Sequence, residues 1–167
     1  AGDVVIPETI EGLPVTEIGY RAFQSRTDLT SVTMPNTLTR IGGEAFSCCT
    51  GLTDLTIPDS VTNLGGIAFS YCSGLRSVTI GSGLDRIVES LFYQCENLTS
   101  VPLPASIATI EARAFLGCAG LTNVFLADRL TSIEENAFDS CSGLTQIALP
   151  AGVTNIGASA FSSCTNL

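Results

Sequence analysis

The stretch GLTDLTIPDSVTNLGGIAFSYCS, residues 51–73, decides how this chain is read. Its 23 residues hold glycine breaks, a proline in mid-run, an Ala-Phe pair and a cysteine, and moving the window by 23 returns most of them. Anchored on the aromatic ring, Phe23, Phe46, Phe69, Phe92, Phe115, Phe138 and Phe161 fall at one spacing, each preceded by alanine except at Leu91. The segment is therefore one unit of a strict internal repeat. A fixed period of this size signals a solenoid, in which a single coil cannot bury its own apolar face and must stack on its neighbours.

Each column of the repeat has a physical reading. Leu52, Leu55 and Ile57, like Leu75, Val78 and Ile80, carry the spacing of leucine-rich repeats, and the last two of each set alternate with outward residues as a strand requires. Stacked coils then form a parallel sheet with strands ~4.8 Å apart. Only Gly, Asn and Asp fill the column Asp28, Gly51, Gly74, Asn97, Gly120, Gly143 and Asn166, which predicts a left-handed residue launching each strand. Pro35, Pro58, Pro104 and Pro150 end the ladder, because proline lacks an amide donor. Apolar pairs three apart, such as Val61 and Leu64, point inward from a second side, and the stretch around Ala-Phe-x-x-Cys predicts one helical or 3₁₀ turn returning the chain, bent at Gly42, Gly65 and Gly157. The expected fold is a leucine-rich-repeat solenoid of the α/β class. Right-handed, gently curved coils, about seven of them, fill residues 1–167 as one repeat domain.

Composition excludes much chemistry. All seven basic residues are arginines, with no histidine, so imidazole pairs, imidazole metal ligands, lysine Schiff bases and P-loop lysines are out of reach. A net charge of -9 disfavours nucleic acid and anionic membrane surfaces. No apolar run approaches the ~18 residues of a membrane span, and the opening AGDVVIPETI shows no secretion signal. Cys49, Cys72, Cys95, Cys118, Cys141 and Cys164 stand three after each phenylalanine, with Cys48 outside the column. Parallel side chains in a stack suit bridging poorly, so a reduced, buried ladder is expected, with no metal site and no cofactor.

These columns resemble the BspA-like, or Treponema-type, leucine-rich repeats, and LTDLTIPDSVTNLGGIAFSYC, residues 52–72, follows that pattern almost position by position. The resemblance covers nearly the whole chain. It implies a non-catalytic binding module of a cell-surface or secreted protein, placed outside the cell and mediating adhesion or protein interaction with a protein or glycan on another cell or matrix. The alternative is a structural spacer or a self-associating array stacked end to end. The first coil, residues 1–28, departs from the pattern: sixteen residues separate Pro7 from Phe23, against eleven from Pro35 to Phe46, and Arg26 holds the cysteine position. The repeat stops at Leu167 where another strand would begin, so further repeats are expected beyond it.

Recognition is expected on outward strand positions: Asp54 and Thr56, Ser77 and Thr79, Asn123 and Phe125, and Gln146. Phe125 is the large apolar residue of that ridge, and Arg76 interrupts a threonine column, so the two are candidate anchors. Threonine columns also raise an ice-binding reading, but Pro102, Asp85 and Ala108 break them. Glu111, Glu134 and Glu135 fall on neighbouring coils without a predicted cleft, so a solvated acidic face explains them better than catalysis. Asn97 opens a single glycosylation sequon.

Overall fold

The computed structural model describes residues 2–167. One side of the coil carries the strands Asp3–Val5, Ser31–Thr33, Asp54–Ile57, Ser77–Ile80, Ser100–Pro102 and Asn123–Phe125. A second side carries two-residue strands, from Glu17–Ile18 through Asn63–Leu64 and Arg86–Ile87 to Asn155–Ile156. Pairing between coils is parallel and steps by one repeat, with Leu55 opposite Val78 and Ile41 opposite Leu64. In the divergent first coil Asp3 faces Ser31, and its extra residues form a small antiparallel hairpin, Thr9–Ile10 with Leu13–Pro14, turning at Glu11 and Gly12 with φ of 51° and 80°.

Alternation along Asp54–Ile57 and Ser77–Ile80 places every second side chain inside. The buried columns form one hydrophobic cluster running from Ile18 to Ala160. Phe46, Phe69, Phe92, Phe115 and Phe138 are fully buried and stack face to face through the axis. Centroid separations run from 5.0 Å for Phe23 and Phe46 to 6.1 Å for Phe69 and Phe92. At that widest step the second-side sheet is interrupted, Asn63–Leu64 and Arg86–Ile87 lying in separate sheets. There the bulkier Leu91 replaces the alanine before phenylalanine, and Val88 follows Gly42 and Gly65 in a column where an added Cβ on either glycine would press on the preceding coil's backbone.

The return side contains no helix among the described residues, contrary to the helical or 3₁₀ turn expected from sequence. Its amides split their bonds. Ala45, Ser47 and Cys49 close turns onto Gly42, Glu44 and Phe46, while Glu44, Phe46 and Cys48 donate to Gly66, Ala68 and Ser70 of the next coil. Three such rungs recur at each of the following coil junctions, the last from Asn136, Phe138 and Ser140. Every second amide thus leaves the coil, and two residues flanking each phenylalanine adopt positive φ, such as Glu44 at 55° and Cys48 at 61°. A helix needs neither and tolerates neither.

The left-handed residues accordingly lie beside the phenylalanine, not in the Gly/Asn/Asp column, whose members keep negative φ. That column is small for another reason: a Cβ on Gly51 would sit 2.5 Å from the Thr27 carbonyl oxygen, and one on Gly143 would sit 2.5 Å from that of Ala119. Asparagine achieves the same junction by a different route. Asn97 Nδ2 donates to the Ser73 carbonyl at 2.7 Å, and Asn166 Nδ2 to that of Ser142 at 2.7 Å.

Ile67 occupies a left-handed position at φ 64°, and branching at Cβ makes it the costliest occupant of its column. Asn136 holds the equivalent place at φ 54°. Ile67→Asn is expected to stabilise the protein by about 1 kcal/mol, read as a raised midpoint in urea; a lowered midpoint contradicts it.

The cysteine column is a hydrogen-bonded one. Each thiol donates to the phenylalanine carbonyl of the preceding coil: Cys49 to Phe23 at 3.1 Å, Cys95 to Phe69 at 3.2 Å, Cys118 to Phe92 at 3.1 Å and Cys141 to Phe115 at 3.2 Å. All seven cysteines are free, five of them buried, with Cys48 and Cys164 partly exposed. Burial, more than the neighbouring thiols, pushes Cys49 up to about 11 and Cys141 up to about 12, and raises Cys95 and Cys118 well above the ordinary value.

Candidate functional site

The outward ridge forms two rows. Asp54 faces Ser77, and Ser100 faces both Ser77 and Asn123; beyond them Thr56 faces Thr79, and Pro102 faces Phe125. The inward partners Leu55, Val78, Val101 and Val124 are buried, so the ridge side chains stand on a fixed floor. Asp54 accepts hydrogen bonds from the hydroxyls of Thr53 and Ser77, chiefly the latter, which hold its carboxyl below the usual range and keep it charged. Arg76 is exposed, and its carbonyl takes both the amide and the hydroxyl of Thr99 at 3.1 Å. Phe125 is 61% exposed.

Arg76 and Phe125 are not brought together. Arg76 immediately precedes the strand Ser77–Ile80, and the strand Ser100–Pro102 intervenes before Asn123–Phe125, a separation of ~10 Å between outer strands. Gln146, expected on the same sheet, lies in an irregular segment. On the ridge side parallel pairing stops after Asn123–Phe125, and a groove of about 360 Å³ opens between that strand and Gln146, Ile147 and Ala148. Val124 and Leu126 complete its lining, which carries no charged residue. Sequence reasoning placed Asn123, Phe125 and Gln146 on the surface but missed the groove, since residues 146–149 keep the strand alternation of the other coils.

The carboxylates of Glu111 and Glu134 serve neighbouring backbone. Glu111 Oε2 accepts the Glu89 amide at 3.0 Å and Oε1 faces Arg86 at 3.4 Å, while Glu134 Oε2 accepts the Ala112 amide at 3.2 Å. Among the described residues no cluster of carboxylates and thiols converges as a metal site would require.

The family model of the BspA type leucine rich repeat region matches residues 4–101 and 85–167, in six copies. The chain belongs to the BspA-type leucine-rich-repeat family. Repeats of this family are generally protein-interaction modules. The BspA-type chain is similar to the leucine rich repeat protein of T. pallidum, with a TM-score of 0.94 and 32% identity over 99% of this chain and 77% of that one. It is also similar to a leucine rich cell surface protein from Faecalibacterium prausnitzii, with a TM-score of 0.86 and 37% identity over 100% of this chain and 46% of that one. A leucine-rich repeat protein from Eubacterium ventriosum gives 0.87 and 27%, over 98% and 43%. The BspA-type chain thus spans less than half of these last two proteins. No curated protein sequence matches it.

Proposed function

We propose that this chain is a non-catalytic binding module of a cell-surface or secreted protein, and that it takes a protein ligand on the ridge running from Asp54 to Gln146. The observation that carries the reading is Phe125, which stands 61% exposed at the rim of a groove on a ridge of otherwise small or polar side chains. An aromatic ring beside a concave, uncharged surface is the usual composition of an interface anchor. The surface location draws on the F. prausnitzii protein, described as a cell surface protein. Adhesion follows if the ligand belongs to another cell or to matrix.

Capture from an array of extracellular and matrix proteins tests the reading. Phe125→Ala and Arg76→Ala are each expected to weaken binding by ~1 to 2 kcal/mol with thermal stability nearly unchanged. Parent-like binding by both, with loss in Arg113→Ala on the return side, overturns it.

Self-association is a second reading, favoured by Val5, Ile10 and Leu13, which are 72%, 59% and 71% exposed on the first coil. Sedimentation at millimolar concentration separates it from a monomeric module.

A further inference from the structure

The groove beside Asn123–Phe125 is a gap in a hydrogen-bonded ladder as well as a hollow. In the preceding junction the Leu103 amide donates to the Phe125 carbonyl at 3.3 Å, and Val101 lies opposite Val124 in a parallel pair. One repeat further on, the corresponding rungs would run from Val124 and Leu126 to Gln146 and Ala148. Among the described residues these rungs are not formed, and neither is the one that would join the Thr145 amide to the Thr122 carbonyl, although Thr122 itself donates to Thr99 at 3.0 Å. The junction re-closes on the second side, where Thr154 donates to Thr131 at 2.9 Å. The strand Asn123–Phe125 therefore has a free edge, walled by Phe125 and Ile147 and without a charge to oppose a neutral chain.

We infer that this gap is a strand-addition site for an extended, uncharged peptide segment of a protein ligand. Unpaired main-chain donors and acceptors at regular spacing recognise another extended backbone, and the exposed ring supplies a surface for alternate side chains. A glycan would present hydroxyls without that repeat, and a charged segment would find no counter-ion in the lining. The inference rests on the binding reading given under Proposed function and narrows it to a ligand class.

The test is amide hydrogen exchange on the whole chain, with and without the capped peptide Ser-Val-Thr-Ile. That is the sequence of residues 77–80, a strand paired on both sides in this protein. Without peptide, the Val124 and Leu126 amides should exchange much faster than those of Val101 and Leu103. With peptide at about ten times its Kd they should slow about tenfold, and the fully N-methylated peptide should leave them unchanged. Leu126→Pro removes a donor that no rung of the fold uses, so it should abolish the peptide's slowing of the Val124 amide, while the loss of a side chain packed against the core lowers the melting temperature. Protection of Val124 and Leu126 without peptide, or equal slowing by the N-methylated peptide, or no slowing at all, overturns the inference. If Phe125→Ala loses ligand capture while the peptide protects nothing, strand addition fails and the binding ridge stands. If the peptide protects while capture ignores Phe125→Ala, the ridge fails and strand addition stands.

Discussion

Phe92→Ala is expected to cost ~3 to 5 kcal/mol of stability. The ring is fully buried, with Phe69 stacked on one face at 6.1 Å and Phe115 on the other at 5.6 Å. Alanine leaves a hole in a column whose two neighbours cannot close on it, because the rungs from Phe69 to Leu91 and from Phe92 to Ala114 fix the coil spacing. Stacked rings add roughly 0.5 to 1.5 kcal/mol beyond burial, and two such contacts are lost at once. For a chain of this size the melting temperature should fall by about 10 °C. Phe161→Ala, at a half-buried ring with one stacked neighbour, should lose clearly less. Equal losses for the two variants in urea and thermal melts would show that the column does not act as a stack.

The second large effect is alkaline. A buried thiol is held in its neutral form, so its folded-state titration lies above the ordinary value of 9.0, at about 11 for Cys49 and about 12 for Cys141. A raised value of this sign means that the unfolded chain releases the proton first. The stabilisation is whole below about pH 9 and is lost as pH rises through 11 to 12. Because a tenfold change in proton affinity is worth about 1.4 kcal/mol, ionising even two of these thiols removes an amount comparable with a domain's total of ~5 to 15 kcal/mol. Melting temperatures should hold between pH 7 and 9 and then fall steeply, with the thiolate absorbance of the five buried cysteines appearing together with unfolding. A flat profile to pH 11, or more thiolate absorbance in the still-folded protein than the two partly exposed cysteines, Cys48 and Cys164, can supply, would contradict this.

Features that depend on one coil were legible in the sequence, and features that depend on the junction between coils were less so. The alternation of Leu55 and Ile57 with Asp54 and Thr56 gave strand, face and burial together, because a period of two has one structural meaning. The phenylalanine and cysteine columns followed from spacing alone. The return turn was misread because Ala-Phe-x-x-Cys suits a helical turn equally well, and nothing in its composition reveals that alternate amides donate to the next coil. Residues as unsuited to positive φ as Ile67 and Tyr71 occupy that turn, so the usual glycine signal was absent. Conversely, glycine at Gly51 and Gly143 reports crowding, not handedness. The groove was invisible for a related reason: the lost rungs belong to a pair of segments, while each segment alone reads as an ordinary strand.

The return-side rungs have an electrostatic consequence. Along a strand successive amides point in opposite directions and their moments nearly cancel. On the return side, Phe23, Phe46, Phe69, Phe92, Phe115 and Phe138 all donate toward the higher-numbered coil, as do the residues two before and two after each of them. Peptide dipoles of ≈ 3.5 D are thereby aligned in three parallel files along the solenoid axis, much as they are in a helix but with the opposite sense relative to chain direction. One wall of the solenoid is thus polarised lengthwise, its moment growing with each coil added, while the ridge wall stays nearly neutral in this respect.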